Sequence, residues 1–405
     1  MSTKSSLQLF VAPVVAFMLI VQLAALYQGV PSAFRGKADF RSLYTAAFMV
    51  RTGHRSEIYD YQSTRHFQNQ LVSSEKGSLP FDRPVHEALL FAPLSLLQYR
   101  TAYIAFFVLN LAFLGIAIGL LRPYLGKLAE AWRWAPSAVL VCFFPVVVAL
   151  IQGEDSILLL TLLVASAVCF YRGRDLSAGI LLGLTLFKLQ FSIPIALLFL
   201  LWRRRRILAG FCVVGAASAF VSVWLTGLQG LKTYAQLLYS WNSQPLPLEP
   251  MRASVCPAAI PNLRCLLTAI ASSHLSLNSL TLVLAGFSIL LILWSATKPA
   301  NFALAILVAV LVSDHGIMSD AALLVVPIAM VLDSRLAVTS GRLRLWSRNI
   351  VCLLFVAPTL LFLGGLSYCW LGLLMLLLLM PLRSTSDSPP PDNTWFNAPA
   401  RFPAG

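Results

Sequence analysis

Long apolar runs with almost no charged residues recur along this chain and restrict it to a membrane fold. Crossing the hydrocarbon core takes about 20 apolar residues in helical form. Candidate runs lie at 8–27, 101–121, 136–151, 155–171, 206–226, 276–296, 300–314, 318–333, 349–363 and 366–382. Because the runs are long and unbroken, they predict helices rather than the short alternating strands of a membrane β-barrel. The predicted fold class is therefore all-α, a polytopic membrane protein.

The composition agrees with a chain surrounded by lipid. Of its 405 residues, 58% are hydrophobic and 11% are charged, whereas about 25% of residues are charged in soluble proteins. This excludes a soluble enzyme and a disordered chain. The net charge of +14 does not indicate nucleic acid, because topology and anionic lipid head groups account for most Lys and Arg residues. The cysteines show no metal-ligand spacing, and we expect neither a metal nor a cofactor.

The segment 176–202 differs from the other apolar runs. It is too long for one comfortable span and too short for two ordinary ones. Arginines flank it on both sides, and Lys188 lies near its middle with Pro194 shortly after. We expect a hairpin of two short or tilted helices whose apex reaches the far side of the membrane. The chain then has about 12 spans, or 11 if the segment crosses once.

Basic residues in alternate short loops predict the orientation. The cytoplasmic set comprises Lys4, Arg122, Lys127, Arg133, Arg172, Arg174, Arg203, Arg204, Arg205, Arg206, Lys298, Arg335, Arg342, Arg344, Arg348 and Arg383. Both termini are therefore expected inside, in the cell (inner) membrane, with a retained first helix. We expect one domain over 1–383 and a disordered, Pro-rich tail at 384–405. Two long outer loops, 28–100 and 227–275, are expected to carry ordered amphipathic segments.

Ionisable groups are distributed unevenly in this topology. All five histidines and eleven of the sixteen acids fall on the outer face. Acidic residues contribute little to orientation, so the topology does not require this distribution. Charged groups at tight turns at membrane depth are costly unless they line a cavity. We therefore expect the polar turns to converge beneath the two long loops and to support proton-transfer chemistry on the outer face, which is extracellular or periplasmic.

Asp39 is the first candidate residue of this face. It follows the first span by about a dozen residues, directly before Phe40. A carboxylate there can act as a general base if it comes within hydrogen-bond reach of an acceptor hydroxyl. The alternative is a helix N-cap for the segment that begins at Phe40. The spacing alone does not decide between these two roles.

A second group of candidates precedes the apolar stretch of FDRPVHEALLFAPLSLL, at 81–97. Arg83, His86 and Glu87 lie together there, and Arg83 offers a fixed cationic fork for an anion. One interpretation is a phosphate- or sugar-binding site at a helix entrance. The other is a solvated loop that leads into a re-entrant helix.

Two further candidate groups lie at helix ends. Glu154 and Asp155 form a turn between two spans, either as a hydrogen-bonding rim for a sugar or with Asp155 capping the next helix. Lys188 coincides with a helix break, where its cation either neutralises a phosphate or extends toward the membrane surface.

The C-terminal half adds Arg264, His315 and Asp320. Arg264 precedes a span and is either an anion ligand or an interfacial anchor. His315 and Asp320 flank a tight outer turn, where an imidazole and a carboxylate can act together if the turn brings them into contact. Cys256 and Cys265 share the second outer loop, so a disulfide between them is a further hypothesis.

In order, these motifs resemble those of the membrane glycosyltransferases of family 87, which include polyprenyl-phosphate-mannose-dependent mannosyltransferases. The resemblance covers about residues 8 to 335. The segments that carry it are ADFRSLYTAAFMVRTGHRSEIYD, FDRPVHEALLFAPLSLL, QGEDSILLL, RGRDLSAGILLGLTLFKLQFSIP and SDHGIMSDAALLVVP. Two positions depart from the pattern. Glu154 stands where the family turn has Gln, and the family's Tyr-x-Pro-Pro-like entrance is Asp-Arg-Pro-Val-His-Glu here.

The resemblance implies a C-type glycosyltransferase fold and transfer of a hexose, mannose-like, from a polyprenyl-phosphate donor to a lipid or glycan acceptor. It implies an inverting, metal-independent reaction on the outer face, with Asp39 as general base and with Lys188 and His315 near the donor phosphate and acceptor. Arg83, Lys188, Arg264 and His315 are candidates to stabilise the leaving phosphate.

The alternative function is a transporter or lipid flippase that transfers no sugar. Such proteins often contain two similar halves with ionisable residues near the midplane. This chain has no convincing internal repeat, and its polar groups cluster at one face. A non-catalytic membrane scaffold is a third possibility, against which the outward concentration of histidines and acids argues only weakly.

Overall fold

The computed structural model describes residues 3–73, 79–243, 261–271, 277–313, 316–336 and 342–382. Within those ranges the regular structure is entirely helical and contains no β-strand. The predicted all-α fold class is therefore confirmed. The tail 384–405 and Cys256 lie outside the described residues, and so do Asp314 and His315.

The N-terminal half contributes eleven α-helices to the described structure. They are α1 (Thr3–Ser32), α2 (Phe40–Arg51), α3 (Tyr61–Leu71), α4 (Val85–Phe91), α5 (Tyr99–Leu121), α6 (Gly126–Ala131), α7 (Ala135–Cys142), α8 (Phe144–Gln152), α9 (Ser156–Tyr171), α10 (Asp175–Gly183) and α11 (Leu189–Leu201). Helices α2, α3 and α4 lie in the first long loop, where we predicted ordered segments.

The remaining helices begin with the longest one. They are α12 (Arg205–Ser243), α13 (Leu263–Ala271), α14 (Leu277–Ala296), α15 (Phe302–Val312), α16 (Val325–Leu336), α17 (Arg342–Leu363) and α18 (Cys369–Leu382). A 3-10 helix, Asp320–Leu324, leads directly into α16.

Four helical stretches in the described residues are long and apolar enough to cross a bilayer, by length and composition. They are Pro13–Arg51, Tyr99–Tyr124, Arg205–Leu238 and Ser279–Ala296. The apolar part of the first stretch is α1, because four charged residues follow between positions 35 and 41. The bent pair α7 and α8 makes a fifth candidate. The chain thus carries several membrane-spanning helices.

The run 136–151 is not the single continuous helix that its composition predicts. Helices α7 and α8 meet at an angle of 52°, and Phe143 between them has an extended backbone with ψ 114°. Pro145 explains the break, because it lacks the N–H that a continuous helix would use. Helix α8 ends at Gln152, and the turn that carries Glu154 follows it directly.

The segment 176–202 forms two short helices, α10 and α11, as predicted. Helix α10 packs closely on α12 through two glycines, Gly179 and Gly210. A Cβ atom on Gly210 would lie 2.7 Å from the backbone nitrogen of Ile180, and one on Gly179 would meet the carbonyl of Ile207. Small residues of this kind allow membrane helices to approach closely. Lys188 occupies the N-cap position of α11.

An apolar core joins α5, α8, α9, α11, α15 and α16. Helix α15 is apolar on every side and is almost completely buried within this core, as expected for a helix that contacts neighbours all round. A second, aromatic cluster packs the first long loop against α5. In it Phe40 of α2 stacks on Phe106 of α5, with ring centroids 5.4 Å apart. This second cluster fixes the start of α2, and with it Asp39.

Candidate functional site

A buried group of charged side chains lies where three turns of the chain meet. The first turn joins α8 to α9 and carries Glu154 and Asp155, the second precedes α11 and carries Lys188, and the third begins the 3-10 helix with Asp320. Arg83 and Glu87 reach the same place from the start of α4. We call these six residues the ionic cluster. In this cluster the turns that carry Glu154, Lys188 and Asp320 come together, as the sequence predicted for its polar turns.

Lys188 occupies the centre of the ionic cluster. Its Nζ lies 2.9 Å from Asp155 Oδ1 and 3.2 Å from Glu154 Oε2, and it also pairs with Asp320. It donates a further hydrogen bond of 2.9 Å to Ser156 Oγ. Only 2% of the Lys188 side chain is exposed. All three ammonium protons therefore have protein oxygens within reach.

Arg83 is the second cation of the cluster and lies nearer its edge. Its Nη1 pairs with Asp155 and lies 3.3 Å from Glu87 Oε1, and its Nη2 lies 3.9 Å from Glu154 Oε2. Its Nε is 3.7 Å from Asp82 Oδ1. With 16% of its side chain exposed, Arg83 is more open to an incoming group than Lys188 is.

Glu87 and Asp155 have opposite ionisation tendencies, although their carboxyl groups are in contact. Burial, followed by the charge of Asp155, raises the pKa of Glu87 well above its usual value. For Asp155 burial opposes ionisation, but Arg83 and Lys188 hold its pKa well below the usual range. The proton between them therefore stays on Glu87, which donates a hydrogen bond to the Asp155 carboxylate.

Asp39 occupies the N-cap position of α2 but does not act as a cap. Its carboxylate makes no capping hydrogen bond and instead lies against the carboxyl group of Glu154. Its backbone N–H donates to Gln152 Oε1 at 3.3 Å. Asp60, by contrast, caps α3 by accepting a bond of 2.8 Å from Ser63 N. The half-buried Asp39 carboxyl group is thus directed at the ionic cluster.

Asp155 behaves like Asp39. It stands at the N-cap of α9 without a side-chain capping bond, and both of its oxygens face cations of the cluster. Capping alone therefore does not account for either aspartate.

Gly153 shapes the turn on which Glu154 and Asp155 lie. Its backbone is left-handed, with φ 59°, a conformation that favours glycine. A Cβ atom at this position would lie 2.9 Å from Phe40 Cβ and 3.1 Å from Tyr103 Cε2. The sequence therefore needs glycine here for the turn to contact the start of α2.

The other predicted site residues lie in different places. His86 Nδ1 is 3.1 Å from Ser222 Oγ of α12, and burial lowers the pKa of His86 to about 4, so its imidazole is neutral at physiological pH. Arg264 lies in the first turn of α13 and is half-buried. His315 lies outside the described residues, so its relation to the cluster is a prediction only.

Sequence reasoning missed two serines that belong to the ionic cluster. Ser319 Oγ donates to Glu154 Oε2 at 2.7 Å, and Ser156 Oγ donates to Asp320 Oδ1 at the same distance. Each serine directly adjoins a predicted acid in the sequence, which is the one signal that could have identified it. Each serine thus adds a hydrogen bond to a carboxylate oxygen that Lys188 also contacts.

An apolar recess of about 120 Å³ lies beside the site, against α1 and α5. It is lined by Val30, Phe34, Tyr103, Ile104 and Phe107. Tyr103 also borders Gly153, so the recess and the charged turn share one side chain. Among the described residues, no group of three or more His, Cys, Asp or Glu side chains is arranged to hold a metal ion.

Comparison with known proteins identifies the family. The sequence model of glycosyltransferase family 87 matches residues 83–314, more than half of the chain. The matched range contains Arg83, Glu87, Glu154, Asp155 and Lys188. No curated protein and no solved structure matches the chain. The chain belongs to glycosyltransferase family 87 and is a multi-pass membrane glycosyltransferase.

Proposed function

We propose that this protein moves a hexose, mannose-like, from a polyprenyl-phosphate donor to a lipid or glycan acceptor, with Asp39 as the general base. The reaction takes place on the outer face of the cell membrane, and both termini lie in the cytoplasm. The architecture is C-type, with about 12 spans in a single domain and two long outer loops. Family membership supports the glycosyl transfer, and the finer assignments are our proposal.

One observation carries the assignment of Asp39. Its carboxyl group makes no capping bond, is half-buried, and is held at the edge of the ionic cluster. A general base needs a fixed position within hydrogen-bond reach of the proton that it removes. The backbone bond from Asp39 to Gln152 fixes this position on one side, and the contact with Glu154 fixes it on the other.

The proposed chemistry is a direct displacement at the anomeric carbon. The acceptor oxygen forms a bond to that carbon as the bond from carbon to the phosphate oxygen breaks. The electron pair of the broken bond stays with the lipid phosphate, and the acceptor proton passes to the Asp39 carboxylate. Because phosphate is a good leaving group, the step does not depend on an acid that protonates it. Attack from the opposite side inverts the anomeric configuration.

Charge on the leaving phosphate requires nearby cations. Among the described candidates Arg83 is best placed, because its side chain is partly exposed while it is anchored by Asp155. Lys188 has protein oxygens around its ammonium group, so we assign it chiefly to holding the three turns together. Arg264 and His315 are proposed as further phosphate or acceptor contacts, and Glu87, His86 and Asp320 as supports of the sugar site.

The apolar recess supports a lipid-linked donor. An isoprenoid chain needs an apolar path from the bilayer, whereas the phosphate and sugar need polar contacts. The recess is lined by apolar side chains, and Tyr103 connects it to the charged turn. A donor with an apolar isoprenoid chain and a polar phosphate-sugar head matches an apolar recess beside a charged turn.

The test is an incubation of the reconstituted protein with a radiolabelled polyprenyl-phosphate sugar and a mixture of lipid acceptors. Transfer of label to an acceptor, with release of polyprenyl phosphate, supports the proposal. A transporter or flippase, the alternative function, would move the intact donor across the membrane without breaking it. Movement of uncleaved donor, with no transfer to any acceptor, would overturn the proposal.

A further inference from the structure

Glu154 is held in a fixed position by the side chains around it. Its Oε2 accepts hydrogen bonds from Ser319 Oγ at 2.7 Å and from Lys188 Nζ at 3.2 Å. With two donors on one oxygen, the carboxyl group cannot turn without losing both bonds. The contact with Asp39 is therefore a fixed feature of the turn.

Asp39 is fixed from its own side as well. Its backbone N–H binds Gln152 Oε1, and Phe40, which follows it, is buried in the aromatic cluster on α5. Two carboxyl groups from distant parts of the chain thus face each other with little freedom to separate. Two carboxyl groups in direct contact cannot both be ionised without a large electrostatic cost.

The surroundings decide which of the two carboxyl groups gives up its proton first. Burial opposes the ionisation of Glu154, but Lys188 and Arg83 hold its pKa below the usual value. Asp39 has no such direct ion pair among the described contacts. A proton shared by the pair therefore stays mainly on Asp39, and Glu154 carries the charge.

We propose that Glu154 is a positioning residue that tunes Asp39, setting by direct carboxyl contact the pH at which the base becomes available. The inference rests on the proposed function, in which Asp39 removes the acceptor proton. It concerns a position where the resembled family pattern has Gln, which lacks the negative charge of Glu154. A negative charge beside Asp39 raises the proton affinity of its carboxylate, which an uncharged amide does not do. Glu154 therefore makes Asp39 a stronger base, and a base works best when its proton affinity matches the working pH.

Other charged groups also face this pair and must be considered in the test. Arg83 and Asp82 act on Asp39 from the segment before α4. Arg41 acts on it from α2, and Tyr99 faces it from α5. Glu154 is faced by Asp155 on its own turn. From other turns it is faced by Lys188 and Asp320. A substitution of Glu154 keeps these groups in the chain but also removes its ion pairs with Lys188 and Arg83, so the test needs a control variant that changes the charge near Asp39 at another position.

The experiment measures the pH dependence of kcat/KM for transfer by the full-length reconstituted protein. In Glu154→Gln the acid limb of the profile is expected to move about one unit to lower pH, a tenfold loss of proton affinity. Asp82→Asn is the matched control, because it removes one negative charge near Asp39 without touching it. The control is expected to shift the limb much less. Equal shifts in both variants, or no shift in Glu154→Gln, would overturn the proposal.

A second measurement does not depend on activity. Infrared difference spectra across a pH titration report the protonated carboxyl band of Asp39, which is identified by its absence in Asp39→Asn. The band of the wild-type protein is expected to persist to higher pH than that of Glu154→Gln. If Glu154→Gln does not fold, Glu154→Asp withdraws the charge from Asp39 and is expected to shift the band in the same direction by less.

The two measurements separate this inference from the proposed function. If Asp39→Asn transfers sugar normally while the infrared shift is present, the general-base assignment is wrong and the carboxyl contact still tunes Asp39. If Asp39→Asn is inactive while neither the acid limb nor the infrared band responds to Glu154→Gln, the proposed base stands and the role of Glu154 is wrong.

Discussion

Arg83 and Asp155 form an ion pair between the first long loop and the turn that joins α8 to α9. They lie 72 positions apart in the sequence. The pair connects the segment that leads into α4 with the membrane-embedded helices. The first long loop is therefore attached to the helix bundle by an ion pair as well as by the aromatic cluster around Phe40.

Asp39→Asn is expected to lower the turnover of sugar transfer by about 10²- to 10⁴-fold, the usual contribution of a general base. Donor binding should persist, because the amide keeps the size of the side chain. The measurement compares kcat with the dissociation constant of labelled donor. Asp60→Asn is the matched control, since Asp60 caps α3 through Ser63 and Asn caps equally well. Similar losses in both variants would contradict a specific role for Asp39.

Lys188→Met is expected to destabilise the protein by about 3–5 kcal/mol, because it leaves buried carboxylates without their cation. Thermal unfolding of the detergent-solubilised protein measures the loss. Adding Asp320→Asn to Lys188→Met removes one of the uncompensated charges, so the double variant should unfold at a higher temperature than Lys188→Met alone. If the two substitutions lower the stability additively, the ion pair between Lys188 and Asp320 contributes little to the free energy of unfolding.

Glu87→Gln tests the protonated carboxyl group in the ionic cluster. Burial first, and Asp155 second, raise the pKa of Glu87 in the folded protein, so unfolding at neutral pH releases its proton. Its stabilising contribution is complete below the ordinary glutamate pKa and declines as the pH rises toward the raised folded value. As the pH rises above the ordinary glutamate pKa, the unfolding temperature of the wild-type protein should therefore fall more steeply than that of Glu87→Gln. Parallel curves would argue against a proton on Glu87.

Gly153→Ala is expected to cost about 1–3 kcal/mol of stability, because it combines a left-handed backbone with a side chain that meets Phe40. It should also reduce transfer, since the turn would move away from Asp39. Gly115→Ala in α5 is the control, because a Cβ atom there meets no atom within 4 Å. Circular dichroism melts and transfer rates of the two variants give the comparison, and equal behaviour would contradict the tight fit at Gly153.

The helices could be predicted because the bilayer determines both sequence signals. Its thickness sets the length of each apolar run, and its surfaces set the positions of the flanking arginines. The run 136–151 shows the limit of this reasoning. Its composition predicts one helix, whereas Pro145 removes a backbone donor and divides the run at Phe143. Pro145 is present in the sequence, but the apolar composition of a run does not indicate where a proline divides it.

The candidate site was predictable in its members more than in its contacts. Residues of the ionic cluster stood out as charges at turns between apolar runs, and their convergence follows from a common face. The contact of Asp39 with Glu154 could not be read from the sequence, because it depends on the left-handed turn at Gly153 and on the close approach of that turn to Phe40. Both aspartates at helix starts also matched the capping pattern, and only the structure shows that neither side chain caps.

The separation of Lys188 from Asp320, 132 positions in the sequence, has a consequence for synthesis of the protein. A ribosome adds about 5–20 residues per second, so Lys188 precedes its later partner by roughly ten seconds. Its other two partners in the ionic cluster, Glu154 and Asp155, are translated before it. The complete set of contacts around Lys188 can therefore form only after the chain has been made as far as Asp320.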